Sequence, residues 1–240
     1  MKRSHFSIGL TGSVLAIALG AGILTLPGIA DAQQTGTRLG TFIPKTKPEL
    51  VFNRMAQCYA ARHHGQAAEF LNFLPGTAEQ DRKFNDMNGA LDVCLDQPNF
   101  VFEGQELEFD INRFHRGIAY FMVIANQPRL PVTLPVASDS QPWFRARLSG
   151  VTSADAGALG LEQFGHCVVL RNWSGTRALV LAKTGSKAET NAYNALQADM
   201  NACLSVGQTL KIDKRLVQHV IGDAMYHIAI APVVPLGAGS

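Results

Sequence analysis

The sequence predicts an all-α protein made of two pseudo-symmetric copies of a four-helix unit, joined by an irregular, proline-rich connector. Three observations lead to this prediction. The four cysteines form two equally spaced pairs, apolar residues recur at helical intervals, and helix-capping signals stand at equivalent places in the two halves. With 240 residues, of which 47% are hydrophobic and 17% charged, the chain can bury a sizeable core.

The spacing of the cysteines reveals the internal repeat. Cys58 and Cys94 are 36 residues apart, as are Cys167 and Cys203, and a shift of 109 residues relates the two pairs. The same shift aligns three further identical pairs: Arg62 with Arg171, Gly76 with Gly185, and Leu95 with Leu204. After the second cysteine of each pair, Gly-Gln-x-Leu segments also align, at 104–107 and 207–210. The chain is therefore interpreted as a duplicated unit of about 75 residues.

Each copy contains the signals of four helices. In the first copy, apolar residues at three- and four-residue steps predict one helix over 50–63 and a short one over 66–73. A third helix is expected to run from a capping box at Thr77 to Leu95. The fourth helix of each copy is expected to begin at an aspartate N-cap, Asp110 in one and Asp213 in the other.

The segments outside the two copies have other compositions. Four prolines interrupt the connector, in which Pro142-Trp143-Phe144 is expected to pin the segment to the core. The resulting division of the chain has six parts: a signal peptide (1–32), a flexible N-terminal arm (33–48), repeat 1 (49–125), the connector (126–154), repeat 2 (155–230) and a C-terminal tail (231–240).

The first 32 residues have the features of a cleaved signal peptide. A basic start is followed by an uncharged stretch from Ile8 to Ala30, and Ala30-Asp31-Ala32 is a cleavage pattern. An uncleaved anchor is the alternative, which five glycines and Pro27 disfavour. Cleavage near Ala32 predicts a periplasmic or secreted protein, with no membrane span after signal removal.

Charge and cysteine usage exclude several classes of function. Without the leader the chain carries one net positive charge. It therefore lacks the excess of basic residues that is typical of a nucleic-acid-binding protein. No C-x-x-C pair is present, so neither a metal nor another cofactor is predicted. Disulfides within each copy, Cys58–Cys94 and Cys167–Cys203, are preferred. Other pairings, reduced cysteines and a metal or redox role remain alternatives.

The chain contains no G-x-S-x-G elbow, no P-loop, no G-x-G-x-x-G after a strand and no H-E-x-x-H motif. This favours a non-enzymatic binding or interaction module for an unknown protein or small-molecule partner. The alternative is a hydrolase-like enzyme with a site in the groove between the repeats. Its candidate residues are His219, Asp223 and His227, which share one face of a helix. A solvated helix face is the preferred interpretation of these three residues.

Arg62 and Arg171 are candidate ligand-binding residues, because each stands one turn beyond the first cysteine of its copy. Two arginines at equivalent places could clamp an anion across a pseudo-twofold axis. The preferred alternative is that each bonds the last carbonyl groups of its own helix.

The layout resembles that of uncharacterised exported α-helical proteins of Gram-negative bacteria that carry a duplicated two-cysteine unit. The resemblance rests on the leader, the spacing of the two cysteine pairs and the Gly-Gln-x-Leu segments. It implies no known activity and assigns no functional residue.

Overall fold

The computed structural model describes residues 48–95, 110–135, 142–148, 156–204 and 213–231. These residues are largely helical and include no strand, which confirms the predicted all-α class. The predicted signal peptide and both Gly-Gln-x-Leu segments lie outside the described residues, as do nearly all of the N-terminal arm and the C-terminal tail.

The helices follow one another in two groups. The first group comprises α1 (Pro48–Arg62), α2 (His64–Phe70), α3 (Ala78–Asp86), α4 (Asn88–Leu95) and α5 (Ile111–Ala125). The connector contains a 3₁₀ turn (Gln127–Arg129) and a short helix, α6 (Trp143–Arg147). The second group comprises α7 (Ala156–Arg171), α8 (Trp173–Leu181), α9 (Lys187–Ala195), α10 (Gln197–Ala202), α11 (Lys214–Met225) and a π-helix (Tyr226–Ile230). No helix in these described parts of the chain is long and apolar enough to cross a membrane.

The predicted third helix is divided at Met87 into α3 and α4. At this residue the backbone N–H donates to the carbonyl oxygen of Phe84, three residues back, which closes a tighter turn than that of an α-helix. Met87 is buried, so the apolar stripe continues across the break. Apolar spacing alone therefore does not reveal the division.

Local capping follows the sequence signals. The Thr77 hydroxyl accepts the backbone N–H of Gln80 at 3.3 Å, and the Gln80 side chain accepts the N–H of Gly76 at 2.8 Å. Asp110 and Asp213 accept backbone N–H groups at the starts of α5 and α11, which confirms both as N-caps. These bonds satisfy donors that have no partner within the helix.

Both predicted disulfides are present. Cys58–Cys94 joins α1 to α4, with Cα atoms 5.7 Å apart. Cys167–Cys203 joins α7 to the C-terminal end of α10, with Cα atoms 5.8 Å apart. The predicted pairing is therefore confirmed, and all four cysteines are bonded.

Helices α5 and α11 form the centre of the fold and pack against each other. On its other sides α5 contacts α1, and α11 contacts α7. Five aromatic side chains fill the core around α5: Phe52, Tyr59, Phe70 and Phe84 surround Phe114, with centroid distances of 5.8 to 6.4 Å. Burial of these rings stabilises the first helix group.

Two glycines let the central helices approach closely. A Cβ atom at Gly165 of α7 would lie 2.7 Å from the carbonyl oxygen of Val220 on α11. A Cβ atom at Gly222 of α11 would lie 3.0 Å from the Cα atom of Tyr120 on α5. Because both neighbours are backbone atoms, larger residues would push the helices apart. The close approach brings polar side chains from three helices together.

Candidate functional site

A group of buried polar residues lies where α5, α7 and α11 meet. We call it the polar cluster, and it consists of His115, Arg116, Glu162, Asp223 and His227. None of these residues is more than 8% exposed. Polar groups buried to this extent need partners within the protein or a bound ligand.

Arg116 and Glu162 form the first half of the polar cluster. The Nε and Nη2 atoms of Arg116 on α5 lie 3.0 and 2.9 Å from one carboxylate oxygen of Glu162 on α7. Nη2 also donates to the carbonyl oxygen of Ala158 at 3.1 Å. These hydrogen bonds join the two helices and leave one carboxyl group of the cluster beside a positive charge.

His115, Asp223 and His227 form the second half. The carboxylate oxygen Oδ1 of Asp223 lies 3.4 Å from Nε2 of His227 and 3.7 Å from Nε2 of His115. One ligand-type atom from each of the three residues lies within 4.8 Å of the other two. Both Asp223 distances exceed the usual length of a nitrogen–oxygen hydrogen bond.

The position of His227 depends on the π-helix that extends α11. In this wider turn the N–H of Ala231 donates to the carbonyl oxygen of Tyr226, five residues back, at 2.8 Å. Trp143 of α6 stacks on the imidazole of His227, with centroids 3.6 Å apart and planes inclined by 12°. Phe144 beside it is buried. Such π-turns are frequent at functional sites.

Gln80 orients the ring of His115. Its amide oxygen accepts the N–H of Gly76, so its amide nitrogen is the atom that lies 3.2 Å from Nδ1 of His115. In this arrangement Nδ1 accepts a hydrogen bond, and in a neutral ring the proton resides on Nε2. Phe70 packs against the same ring, with centroids 5.3 Å apart.

Burial changes the acidity of the two carboxyl groups. It raises the pKa of Glu162 to about 8, with a further increase from the charge of Asp223 and an opposing effect of Arg116. Burial also raises the pKa of Asp223 to about 6, although a hydrogen bond from Glu162 and the charge of Arg116 lower it. Two carboxyl groups this close titrate as a pair, and both bind protons more tightly than they do in water.

The structure divides the predicted trio of α11. Asp223 and His227 belong to the polar cluster, whereas His219 lies between aromatic rings, 5.0 Å from Tyr120 and 6.5 Å from Phe121 by centroid. The interpretation of the trio as a solvated helix face is wrong, because all three side chains are buried. Helix α11 is covered by α5 on one side and by α7 on the other.

Three members of the polar cluster escaped the sequence analysis. His115 and Arg116 follow Phe114 on α5, and Glu162 follows Leu161 on α7. The available signal was a charged or imidazole side chain within the apolar stripe of a helix. That signal marks single residues and does not indicate which of them meet.

The two predicted arginines lie apart from the polar cluster. Arg62 and Arg171 are exposed in the last turns of α1 and α7. The Nε atom of Arg171 lies 3.6 Å from the carboxylate of Asp199 on α10. Exposed pairs of this kind contribute little to stability.

The function of the polar cluster is inferred from the chemistry of its side chains. Imidazole and carboxylate groups bind metal ions and transfer protons. Comparison with known proteins finds no family model, no curated protein and no solved structure that matches the chain.

Proposed function

We propose that the protein is an exported, non-enzymatic binding protein made of two copies of a helical unit, which holds a small cationic ligand in the polar cluster. The observation that carries the proposal is the charge of this cluster. Its two carboxyl groups face one guanidinium group, and the pKa of Glu162, raised to about 8, means that a proton balances the second carboxyl group at neutral pH, a proton whose place a bound cation would take. A buried negative charge is unfavourable unless a cation or a proton balances it.

The positions of the helices support the duplication. Helices α2, α3 and α4 begin at residues 64, 78 and 88, and α8, α9 and α10 begin 109 residues later, at 173, 187 and 197. Helices α5 and α11 begin at 111 and 214, in agreement with the shorter second copy. The polar cluster takes residues from both proposed copies, so its ligand would lie where the copies meet.

Local geometry supports the duplication independently. Gly76 and Gly185 both have positive φ, 80° and 75°, and each precedes a hydroxyl N-cap. Glu189 accepts the N–H of Gly185 at 2.9 Å, as Gln80 does with Gly76. A positive φ favours glycine, which explains why this residue recurs.

Export is supported by the leader and by the two disulfides, which persist in oxidising compartments. Expression of the full chain in a Gram-negative host tests it. We expect a mature protein that begins at Gln33, as measured by intact mass and N-terminal sequencing. Recovery of the full 25.9 kDa chain would contradict cleavage.

A thermal-shift panel of monovalent cations, divalent cations and polyamines tests the binding function. At least one cation is expected to raise the melting temperature, because a ligand that binds only the folded state stabilises it. Asp223→Asn should abolish this shift. Asp213→Asn is the matched control, because it makes the same change on α11 at an exposed N-cap that asparagine also fills well. Equal shifts in both variants, or none in the unaltered protein, would exclude the polar cluster as the ligand site.

An enzyme is the second candidate, favoured by the raised pKa of both Glu162 and Asp223, since raised carboxyl pKa values are typical of general acids. Both side chains are at most 2% exposed, so a substrate has little access to them, and binding is better supported. Turnover of ester, phosphate or peptide substrates that is lost in Glu162→Gln would favour the enzyme instead.

A further inference from the structure

We infer that the cation of the proposed function, on which this inference rests, is a divalent transition-metal ion bound by His115, Asp223 and His227. The first argument is the arrangement of the ligand atoms. Around a tetrahedral zinc ion with bonds of about 2.0–2.1 Å, neighbouring ligand atoms are roughly 3.3 Å apart. Asp223 Oδ1 lies 3.4 and 3.7 Å from the two Nε2 atoms, which is close to this spacing. One ligand-type atom from each of the three residues lies within 4.8 Å of the other two.

The second argument is the rigidity of the scaffold. His115 lies on α5, Asp223 lies one turn before His227, and the π-turn carries His227. Gly222 lets α11 approach the backbone of α5, which sets the separation between the two histidines. Ligands on packed helices keep their geometry better than ligands on loops.

The donor set identifies the class of metal. Two imidazole nitrogens and one carboxylate oxygen suit zinc and its neighbours in the first transition row. Calcium prefers six to eight oxygen ligands, and magnesium keeps an octahedral oxygen shell. A divalent ion also provides positive charge to a site that contains two carboxyl groups and one arginine.

Gln80 determines how readily His115 can bind the ion. Coordination through Nε2 requires the ring proton on Nδ1, where the amide nitrogen of Gln80 now lies. Binding therefore requires the Gln80 amide to turn over and release the N–H of Gly76. A carboxylate at this position would accept both the Gly76 N–H and the Nδ1–H of His115, and carboxylate–histidine–metal triads of this kind tune metal affinity.

Cobalt is a direct probe, because Co²⁺ in a four- or five-coordinate nitrogen–oxygen site absorbs strongly in visible light. The mature chain, with its disulfides intact, is treated with a chelator, dialysed and titrated. We expect one Co²⁺ per chain, displaced by Zn²⁺ but not by an excess of Mg²⁺ or Ca²⁺. Absence of saturable binding at micromolar protein would overturn the inference.

Variants on α11 locate the site. Asp223→Asn and His227→Gln are each expected to weaken Co²⁺ binding by about 100-fold or more, because each removes one of three protein ligands. His219→Gln on the same helix is the control and should leave the affinity unchanged, since His219 lies outside the polar cluster. Unchanged binding in the first two variants, or an equal loss in the control, would refute the assignment. Far-ultraviolet circular dichroism verifies that each variant folds.

Gln80→Glu provides a test that does not remove a proposed metal ligand. It should tighten Co²⁺ binding by about 10-fold, because the new carboxylate can accept the Nδ1 proton of His115. The exposed Ala78→Glu adds the same charge two residues away and should have little effect. Equal affinities for Gln80→Glu and the unaltered protein would exclude His115 as a ligand.

The outcomes separate this inference from the proposed function. If no transition metal binds but another cation produces a thermal shift that depends on Asp223, the binding function stands and the metal assignment is wrong. If neither metals nor other cations bind, both fail.

Discussion

His219 and His227 stand two turns apart on one continuous helical segment, yet their surroundings differ. His227 faces a carboxylate and a stacked indole ring. His219 is 1% exposed, and neither of its ring nitrogens has a hydrogen-bond partner among the described residues. Burial, together with the charges of Arg215, Arg113 and Arg116, lowers the pKa of His219 to about 3. His219 is therefore a neutral imidazole within an aromatic core.

His219→Leu should stabilise the protein. The leucine fills a similar volume and removes two buried polar atoms that have lost their water without gaining partners. We expect the free energy of unfolding to rise by about 1 kcal/mol, as measured by urea denaturation at pH 7. A loss comparable to that of a core truncation would show instead that His219 makes a stabilising contact.

The same residue predicts acid sensitivity. Its pKa is about 3 in the folded protein and near 6.5 in the unfolded chain, so the unfolded state binds more protons between these values. Above pH 6.5 the titration of His219 therefore costs no stability. As the pH falls from 6.5 toward 3, protonation of His219 in the unfolded chain lowers the free energy of unfolding. Below pH 6.5, the stability advantage of His219→Leu should grow by up to about 1.4 kcal/mol per pH unit. An advantage that stays constant between pH 7 and 4.5 would contradict the lowered pKa.

Close contact between two helices depends on small residues on the helix faces that meet. Gly165→Ala should destabilise the protein by about 1–3 kcal/mol, because its Cβ would lie 2.7 Å from a carbonyl oxygen of α11, an atom that cannot move aside easily. Gly160→Ala on the same helix is the matched control. No atom would lie within 4 Å of its Cβ, so it should stabilise by about 0.5–1 kcal/mol through helix propensity. Urea denaturation of both variants measures the difference, and a stabilising Gly165→Ala would argue against the close contact.

The helix boundaries show how local signals combine with packing. Thr77, Asp110 and Asp213 begin helices where the sequence predicts them, because an N-cap acts on backbone groups two or three residues away. The division at Met87 was not predicted, since the buried stripe keeps its spacing through the tighter turn. The packing of the helices, and not a local sequence signal, decides a boundary such as the one at Met87.

At the scale of the whole molecule, each disulfide closes a loop between residues 36 apart in sequence. Replacement of Cys58 and Cys94 by alanine should lower the melting temperature, because closure of such a loop stabilises by roughly 4 kcal/mol in the chain-entropy model. The double variant of Cys167 and Cys203 should have a similar effect. Calorimetry of the two variants and of the reduced protein measures it. Melting temperatures equal to that of the oxidised protein would contradict a stabilising role.

The sequence by itself determined the helical class and the caps, and it favoured the disulfide pairing that the structure has. Each depends on short spacings: apolar steps of three and four residues, a cap and its acceptor, and two cysteines separated by the same interval in both halves. The spacing of His219, Asp223 and His227 also indicated one helix face, but it could not show that His219 packs among aromatic rings while the other two meet His115.

Only the tertiary structure decided the composition of the polar cluster. His115 and Asp223 are more than a hundred residues apart in sequence, and no local pattern relates them. They meet because α5 and α11 pack closely at Gly222, and Glu162 joins them because α7 packs closely against α11 at Gly165. Helical periodicity specifies which side of a helix is buried, but the partner of a buried polar group is set by the packing of helices that are distant in the chain.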